Sequence, residues 1–388
     1  MAYLLTCNAG SSSIKLALFE TNTLNEVASA SVENIGQAQA QFLAGGIATP
    51  VMAISHHEAL VTVLIPWLNE QSSGQEVTAV GHRVVHGSSF HEPTLIDDAS
   101  YDRLEQLSYL DPDHMPAILE TLKTLRIAFG TVPHVACFDT AFFHDLPLVA
   151  KLTTLPRAYY EQGLRRYGFH GLSYQYILDS FSHHEGAAAA NGKVIMAHLG
   201  SGCSLAALTG GKPQETTMGF TPTSGVPMST RSGDLDPGIL TYLARHDGMN
   251  LDEIDEIINH KSGLLGVSDL SADMLTLLQA QAANQYAADA VELFCYQISK
   301  AIGGLTTSIG GLNSLIFTGG IGERSAEIRH RICKRLAFLG IQIDSQRNGE
   351  HARLISSRES DVGVHVIHTN EAIAIAKATR QLTTQGEN

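Results

Sequence analysis

Residues 8–15 read NAGSSSIK and stand between two apolar runs, in LLTCNAGSSSIKLALFE (residues 4–20). A hairpin accounts for Asn8 and Gly10, which tolerate left-handed backbone, and for serines that bond to nearby peptide groups. It does not account for Ser11, Ser12, Ser13 and Lys15 together, which crowd more donors at the tip than a hairpin needs. A phosphate would use them. The spacing is not GxxxxGK[ST], and the Lys is followed by the strand-like LALF rather than by a helix, so this is no Walker-type loop. The stretch predicts a strand, a small polar turn and a second strand, with the turn offered to an anion.

The pattern recurs. Laid over NAGSSSIKLAL (8–18) without gaps, HLGSGCSLAAL (198–208) repeats Gly, Ser, Ala and Leu in register. Two such units, each opening a mixed α/β half, predict a duplicated architecture that grips a ligand between two turns. In a third turn, LIFTGGIGERSAEIRHRI (315–332), a strand delivers Gly319, Gly320 and Gly322 to the start of a helix, where anions are attracted.

Size and composition set the frame. A chain of 388 residues exceeds what one core usually serves, so two domains are expected. With 44% hydrophobic and 16% charged residues, and no apolar run near the length of a membrane span, it reads as a soluble globular protein. No export signal is visible, and Cys7, Cys137, Cys203, Cys295 and Cys333 lack paired spacing, which fits reduced thiols in the cytoplasm. The net charge of −14 disfavours nucleic acid and anionic membranes as partners, so an anionic substrate would need locally concentrated cations.

Between the turns, VTAVGHRVVHG (77–87) reads as a strand leaving a loop, and SYDRLEQLSYL (100–110) and MPAILETLKTLRIAFG (115–130) as amphipathic helices. VPHVACFDTAFF (132–143) gives a buried strand ending at Asp139, a carboxylate placed either to reach a site or to cap the next helix. A Pro-punctuated connection follows near residues 145–165 and is the candidate domain boundary, and SHHEGAAAANGK (182–193) reads as a surface loop.

GHRVVHG (81–87), FDTAFF (138–143), RRYGFHGLS (165–173), AHLGSG (197–202), MGFTP (218–222), PMSTRSGDLDP (227–237), GLLGVSDLSAD (263–273), FTGGIGE (317–323) and HTNEA (368–372) fall, with NAGSSSIK, in the order and spacing of the acetate kinase family. The resemblance runs from residue 4 to about residue 376. It implies the duplicated ribonuclease H-like fold of actin-type ATPases with an interdomain active-site cleft. One domain would comprise 1–147 with 372–388 and bind the acyl group and phosphate; the other, 148–371, would bind nucleotide and dimerise. The implied reaction is reversible phosphoryl transfer between ATP and acetate or propionate, with Mg²⁺ (or Mn²⁺), in a homodimer. Ionised at neutral pH, a carboxylate nucleophile needs no general base. Catalysis is then positioning and charge neutralisation.

By the same resemblance, Arg83, His170 and Arg231 meet the transferring phosphoryl group, Arg83 also meets the carboxylate, and Asp139 orients Arg83 or the metal. Asn8 and Glu371 serve the metal, and Val85, Leu110, Phe169 and Pro222 line the acyl pocket. Ser11, Ser13, Lys15, His198, Gly200, Ser201, Gly202, Asp273, Gly319, Gly320 and Gly322 face phosphate or nucleotide. Four positions depart from the family pattern: Ser201 and Arg324 replace Asn, Leu275 replaces Arg, and Asp111 replaces His. The first three lie on the nucleotide side and leave open a non-ATP donor such as pyrophosphate, or a decayed nucleotide sensor. His114, three residues after Asp111, is a candidate substitute for the missing His.

Overall fold

In the computed structural model, which describes residues 2–72 and 75–385, the opening stretch forms β1 (Tyr3–Ala9) and β2 (Ser13–Glu20). They run antiparallel, with Asn8 opposite Lys15 and Ala9 opposite Ile14. Residue 1 and residues 386–388, at the ends of the first expected domain, lie outside the described residues, as do 73–74.

β3 (Glu26–Glu33), β4 (Gln39–Ala44) and β5 (Ile47–Met52) extend the sheet antiparallel on one side. On the other, β6 (Val77–Val84) joins β1 in parallel, followed by β7 (Thr94–Leu95) and β8 (His134–Phe138) in the order β5-β4-β3-β2-β1-β6-β8-β7. β1 and β8 are buried almost throughout, as expected of inner strands covered on both faces.

The second sheet comprises β9 (Lys193–Leu199), β10 (Cys203–Thr209), β11 (Lys212–Thr216), β12 (Ser314–Thr318) and β13 (Gly363–Val366), ordered β11-β10-β9-β12-β13. Its pairings, antiparallel from β11 to β9 and parallel from β9 to β13, repeat those of β3-β2-β1-β6-β8. The fold is therefore a duplicated α/β unit of the ribonuclease H-like kind. Asn8 and His198 occupy the penultimate position of β1 and β9. Beyond the turns the ungapped alignment slips by one residue. Gly10–Ser13 separate the paired residues of the first hairpin but only Gly200–Gly202 those of the second, so Lys15 corresponds to Ser204 rather than Leu205.

The chain divides into two compact units. One comprises 1–144, 171–176 and 370–388, the other 145–170 and 177–369. The segment 171–176, absent from the first expected domain, joins that unit because the Gly171 N–H donates to Asp139 O, and Leu172 packs with Val135, Cys137 and Ile375. One local expectation fails. Residues 182–193 are largely helical, since helix Gly171–Glu185 runs into them and Ala187–Ala190 forms another turn, with only Gly186, at φ 89°, breaking the path. Four alanines are strong helix formers, and their low complexity hid it.

Helix Glu371–Gln385 packs across β1, β6 and β8, and its approach depends on Gly81 in β6. A methyl group there would stand 2.2 Å from Thr379 Oγ1 and 2.6 Å from Ile375 Cγ2. Gly81→Ala is expected to lower stability by about 1–3 kcal/mol through overpacking, measured by urea denaturation; an unchanged midpoint would mean that the helix is free to shift.

Beside Gly81, His82 Nε2 meets His134 Nδ1 at 2.9 Å across β6 and β8, with the rings stacked. Both rings are held below the usual histidine range, chiefly because burial penalises the imidazolium. The unfolded chain takes up protons below about pH 6.5 while the folded pair resists them. Their stabilisation is complete above that pH and falls as pH drops toward the depressed native values. The melting temperature should therefore decline between about pH 6.5 and 5, and His134→Gln should flatten the slope; an equally steep slope in the variant would assign the loss to other groups.

Candidate active site

The first unit gathers four of the expected residues into one network. Arg83 stands in β6, and Asp139 follows β8, its neighbour in the sheet. The guanidinium grips one carboxylate oxygen, Asp139 Oδ2, through Nε at 3.0 Å and Nη2 at 2.6 Å. Its Nη1 donates to Asn8 Oδ1 at 3.2 Å, and the Asn8 amide donates to Glu371 Oε2 at 2.7 Å. Glu371 Oε2 also lies 4.0 Å from Arg83 Nε. Burial opposes the Arg83 charge, but Asp139 and Glu371 outweigh it and raise the group, so the guanidinium stays charged. For Asp139 burial and Glu371 push upward while Arg83 pulls down, and the net direction is up. The pair's contacts, both shorter than 3.1 Å, and the raised Arg83 together describe an ion pair carrying surplus negative charge.

That surplus bears on a metal. Asp139 Oδ1 is buried and accepts no hydrogen bond, two carboxylates face a single guanidinium, and an amide oxygen lies beside them. All of these are hard oxygen donors of the kind Mg²⁺ takes, one or two carboxylates with the remainder from water and phosphate. The donor set fits that ion. Among the described residues no group of three or more His, Cys, Asp or Glu forms a site that would hold a metal by itself.

Asp111, where the family has His, is buried beside Leu110 and adds to the field that raises Arg83. Its Oδ1 accepts from the His114 backbone N–H at 3.2 Å and lies 2.9 Å from His114 Nδ1. The carboxylate thus engages the candidate substitute His while supporting Arg83. Val85 and Leu110, assigned to the acyl pocket, are buried apolar residues of this unit.

The second unit gathers a further group of candidates. His170 holds left-handed backbone, φ 61° and ψ 24°, at the entry to helix Gly171–Glu185, a strained conformation for a residue with a side chain. Its Nδ1 is 2.8 Å from Ser204 Oγ, and its ring stacks on His198 with centroids 4.3 Å apart. A methyl group at Gly202 would be 3.2 Å from His170 Nε2 and 3.7 Å from Arg231 Nη1, so the second turn brings that imidazole and guanidinium to one glycine. Arg231 also donates to Pro222 O at 3.3 Å. Phe169 is fully buried beside His170.

The second and third turns approach each other. Gly319, at φ 76°, has Leu199 O 2.7 Å from where a Cβ would be, and a Cβ on Gly200 would be 3.8 Å from Gly320 N. Only glycine permits this approach at Gly319. As expected, the strand delivers Gly319, Gly320 and Gly322 to the start of a helix, the short Gly319–Arg324.

Other candidates stand apart from these groups. Lys15 is mostly exposed and 3.9 Å from Glu33, and Ser11 is exposed at the first turn. Ser13 Oγ would touch a Cβ on Gly10. Asp273 caps helix Met274–Ala280, accepting from the Thr276 amide and hydroxyl. Ser201, Leu275 and Arg324 are exposed.

Two residues escaped the sequence reading. Ser204 fixes His170, and the repeat held the clue, since Ser204 is opposite His198 just as Lys15 is opposite Asn8. Glu323 was quoted only as part of a glycine motif, yet it is buried and accepts hydrogen bonds from four residues.

A duplicated ribonuclease H-like fold carrying these charged clusters is that of a phosphotransferase. The acetokinase family model matches residues 3–377, and the chain belongs to that family. It is 39% identical over 395 residues to an acetate kinase of Rhodopseudomonas palustris, covering 99% of each chain. It is 40% identical over 385 residues to a propionate kinase of Escherichia fergusonii, covering 96% of this chain and 95% of the relative. A propionate kinase structure from Francisella tularensis superposes with a TM-score of 0.92 at 35% identity, covering 98% of this chain and 100% of the other.

Proposed function

We propose that the protein is a short-chain carboxylate kinase that moves a phosphoryl group reversibly between ATP and acetate or propionate. The observation that carries this reading is Arg83, clamped by Asp139 and Asn8 so that a charged, immobile fork is presented beside a divalent-metal donor set. An ionised carboxylate attacks without a base, so the barrier is largely the approach of two anions. Arg83 meets the incoming carboxylate and a phosphoryl oxygen, and its clamp means that little side-chain freedom is lost at that moment. Asp139 and Asn8 hold the fork in register. Within the second unit, Arg231 and the Nε2 side of the His170 imidazole are donors suited to phosphoryl oxygens, with Ser204 setting the ring's orientation. Asp139, Glu371 and Asn8 would hold Mg²⁺, which neutralises charge on the nucleotide phosphates. Gly200, Gly202, Gly319 and Gly320 allow backbone N–H groups to approach those phosphates without obstruction by side chains. Val85 and Leu110 offer apolar surface to the acyl tail, whose length is discriminated by about 1–3 kcal/mol per methylene.

We place the enzyme in the cytoplasm, supported by five buried free cysteines whose thiols burial pushes up to about 12, and no described helix is long and apolar enough to cross a membrane. A homodimer is supported by helix Pro237–His246, which buries none of its residues and exposes Ile239 and Tyr242, with Leu235 and Leu251 exposed near its ends. Sedimentation should show a dimer at micromolar concentration that Tyr242→Asp weakens; a monomer throughout would remove that proposal.

Trapping acyl phosphate as hydroxamate, with acetate, propionate or butyrate against ATP, GTP or pyrophosphate, tests the activity. Product is expected with ATP and acetate or propionate, and Arg83→Ala and Arg231→Ala should each lose at least about 100-fold in kcat. No product with any pairing, or near-normal turnover in both variants, would overturn the proposal; product with pyrophosphate alone would replace the donor.

A further inference from the structure

Glu323 lies at the C-terminal end of the short glycine helix, yet its carboxylate turns back to that helix's own beginning. Oε1 accepts from Gly319 N at 2.9 Å and from Thr318 Oγ1 at 3.2 Å. The same oxygen accepts from Thr369 N at 3.0 Å, and Oε2 lies 2.8 Å from His368 Nδ1. Burial pushes this carboxyl up, but the Thr369 N–H, His368 and the Gly319 N–H outweigh it and hold it below the usual range. One buried side chain therefore ties the exit of β12 and the first amide of the third turn to residues 368–369. At that point the chain passes from the second unit to the first, since Thr369 ends one and Asn370 begins the other. Two residues further on is Glu371, partner of Asn8.

A negative charge beneath a turn meant for phosphate is electrostatically adverse, so this carboxylate has no direct business with the ligand. Its four acceptor contacts offer a different use. We propose that Glu323 is a positioning residue that holds the glycine turn against residues 368–369, so that the turn's amides are set for the phosphates of a nucleoside di- or triphosphate. This rests on the reading of Gly319–Gly322 as the phosphate turn. Glu323 acts through acceptor geometry rather than through charge. Gln retains the Oε1 acceptor that takes three of the contacts, whereas Ala retains none.

The test compares Glu323→Ala, Glu323→Gln, His368→Ala and Gly320→Glu by steady-state kinetics, calorimetric titration with MgADP, and thermal denaturation. Glu323→Ala should raise the nucleotide KM and the MgADP Kd at least tenfold with the acetate KM within twofold of wild type. Glu323→Gln should restore nucleotide binding to within about threefold. His368→Ala, which removes one tether at an exposed ring, should fall between them and serves if the Ala variant does not fold. Unchanged nucleotide binding in Glu323→Ala and His368→Ala would overturn the proposal, as would equal rises in both KM values or failure of Gln to rescue. Gly320→Glu separates the underlying reading, because a Cβ there meets nothing within 4 Å. If this folded variant still binds MgADP normally, the turn is not the phosphate site; if it loses binding while the Glu323 variants do not, only the positioning role fails.

Discussion

The buried ion pair of Arg83 with Asp139 constrains everything around it. Desolvating two such charges costs several kcal/mol for each ion, and removing one partner alone leaves a penalty on the order of 3–5 kcal/mol. A core of this size could have been built from leucine without that cost. What the pair provides is a cation that cannot swing away, because Nε and Nη2 are taken by Asp139 and Nη1 by Asn8. The placement follows from the sheet. β6 and β8 are parallel neighbours, so both side chains emerge at the same carboxyl edge, where open α/β sheets present their ligands.

The second unit answers with the same topology and different chemistry. Where the first hairpin carries Asn8 opposite Lys15, the second carries His198 opposite Ser204, and these two position His170 by stacking and hydrogen bonding. The two hairpins share one scaffold and differ at two paired positions, Asn8–Lys15 in the first and His198–Ser204 in the second. In the third turn Gly319 permits the close approach to Leu199, and its N–H donates to Glu323.

Much of this was legible in the sequence because it depends on local pattern. Strand, turn and strand at NAGSSSIK followed from apolar runs broken by small residues, and the repeat at HLGSG exposed the duplication. The motifs that carry Arg83, His170 and Arg231 identify the family. The rest depends on long-range geometry. Glu371 meets Asn8 across 363 positions of sequence, and Glu323 reaches Thr369 across 46. No periodicity encodes such pairs. The helix hidden in SHHEGAAAANGK shows the opposite failure, since propensity was present there but was discounted as low complexity.

The positions where this chain departs from its family divide by burial. Asp111 is buried, engages His114 and reinforces Arg83, so its change is absorbed into the electrostatics of the acyl side. Ser201, Leu275 and Arg324 are exposed, and Leu275 leaves 62% of its surface to solvent. A residue that packs against nothing can change without loss of stability, which frees such positions to alter recognition. An apolar side chain cannot give the charge-assisted bonds of a guanidinium, so Leu275 cannot serve an anion as an arginine would. The exposed changes at Ser201, Leu275 and Arg324 thus leave the buried Arg83–Asp139 pair and Asp111 untouched.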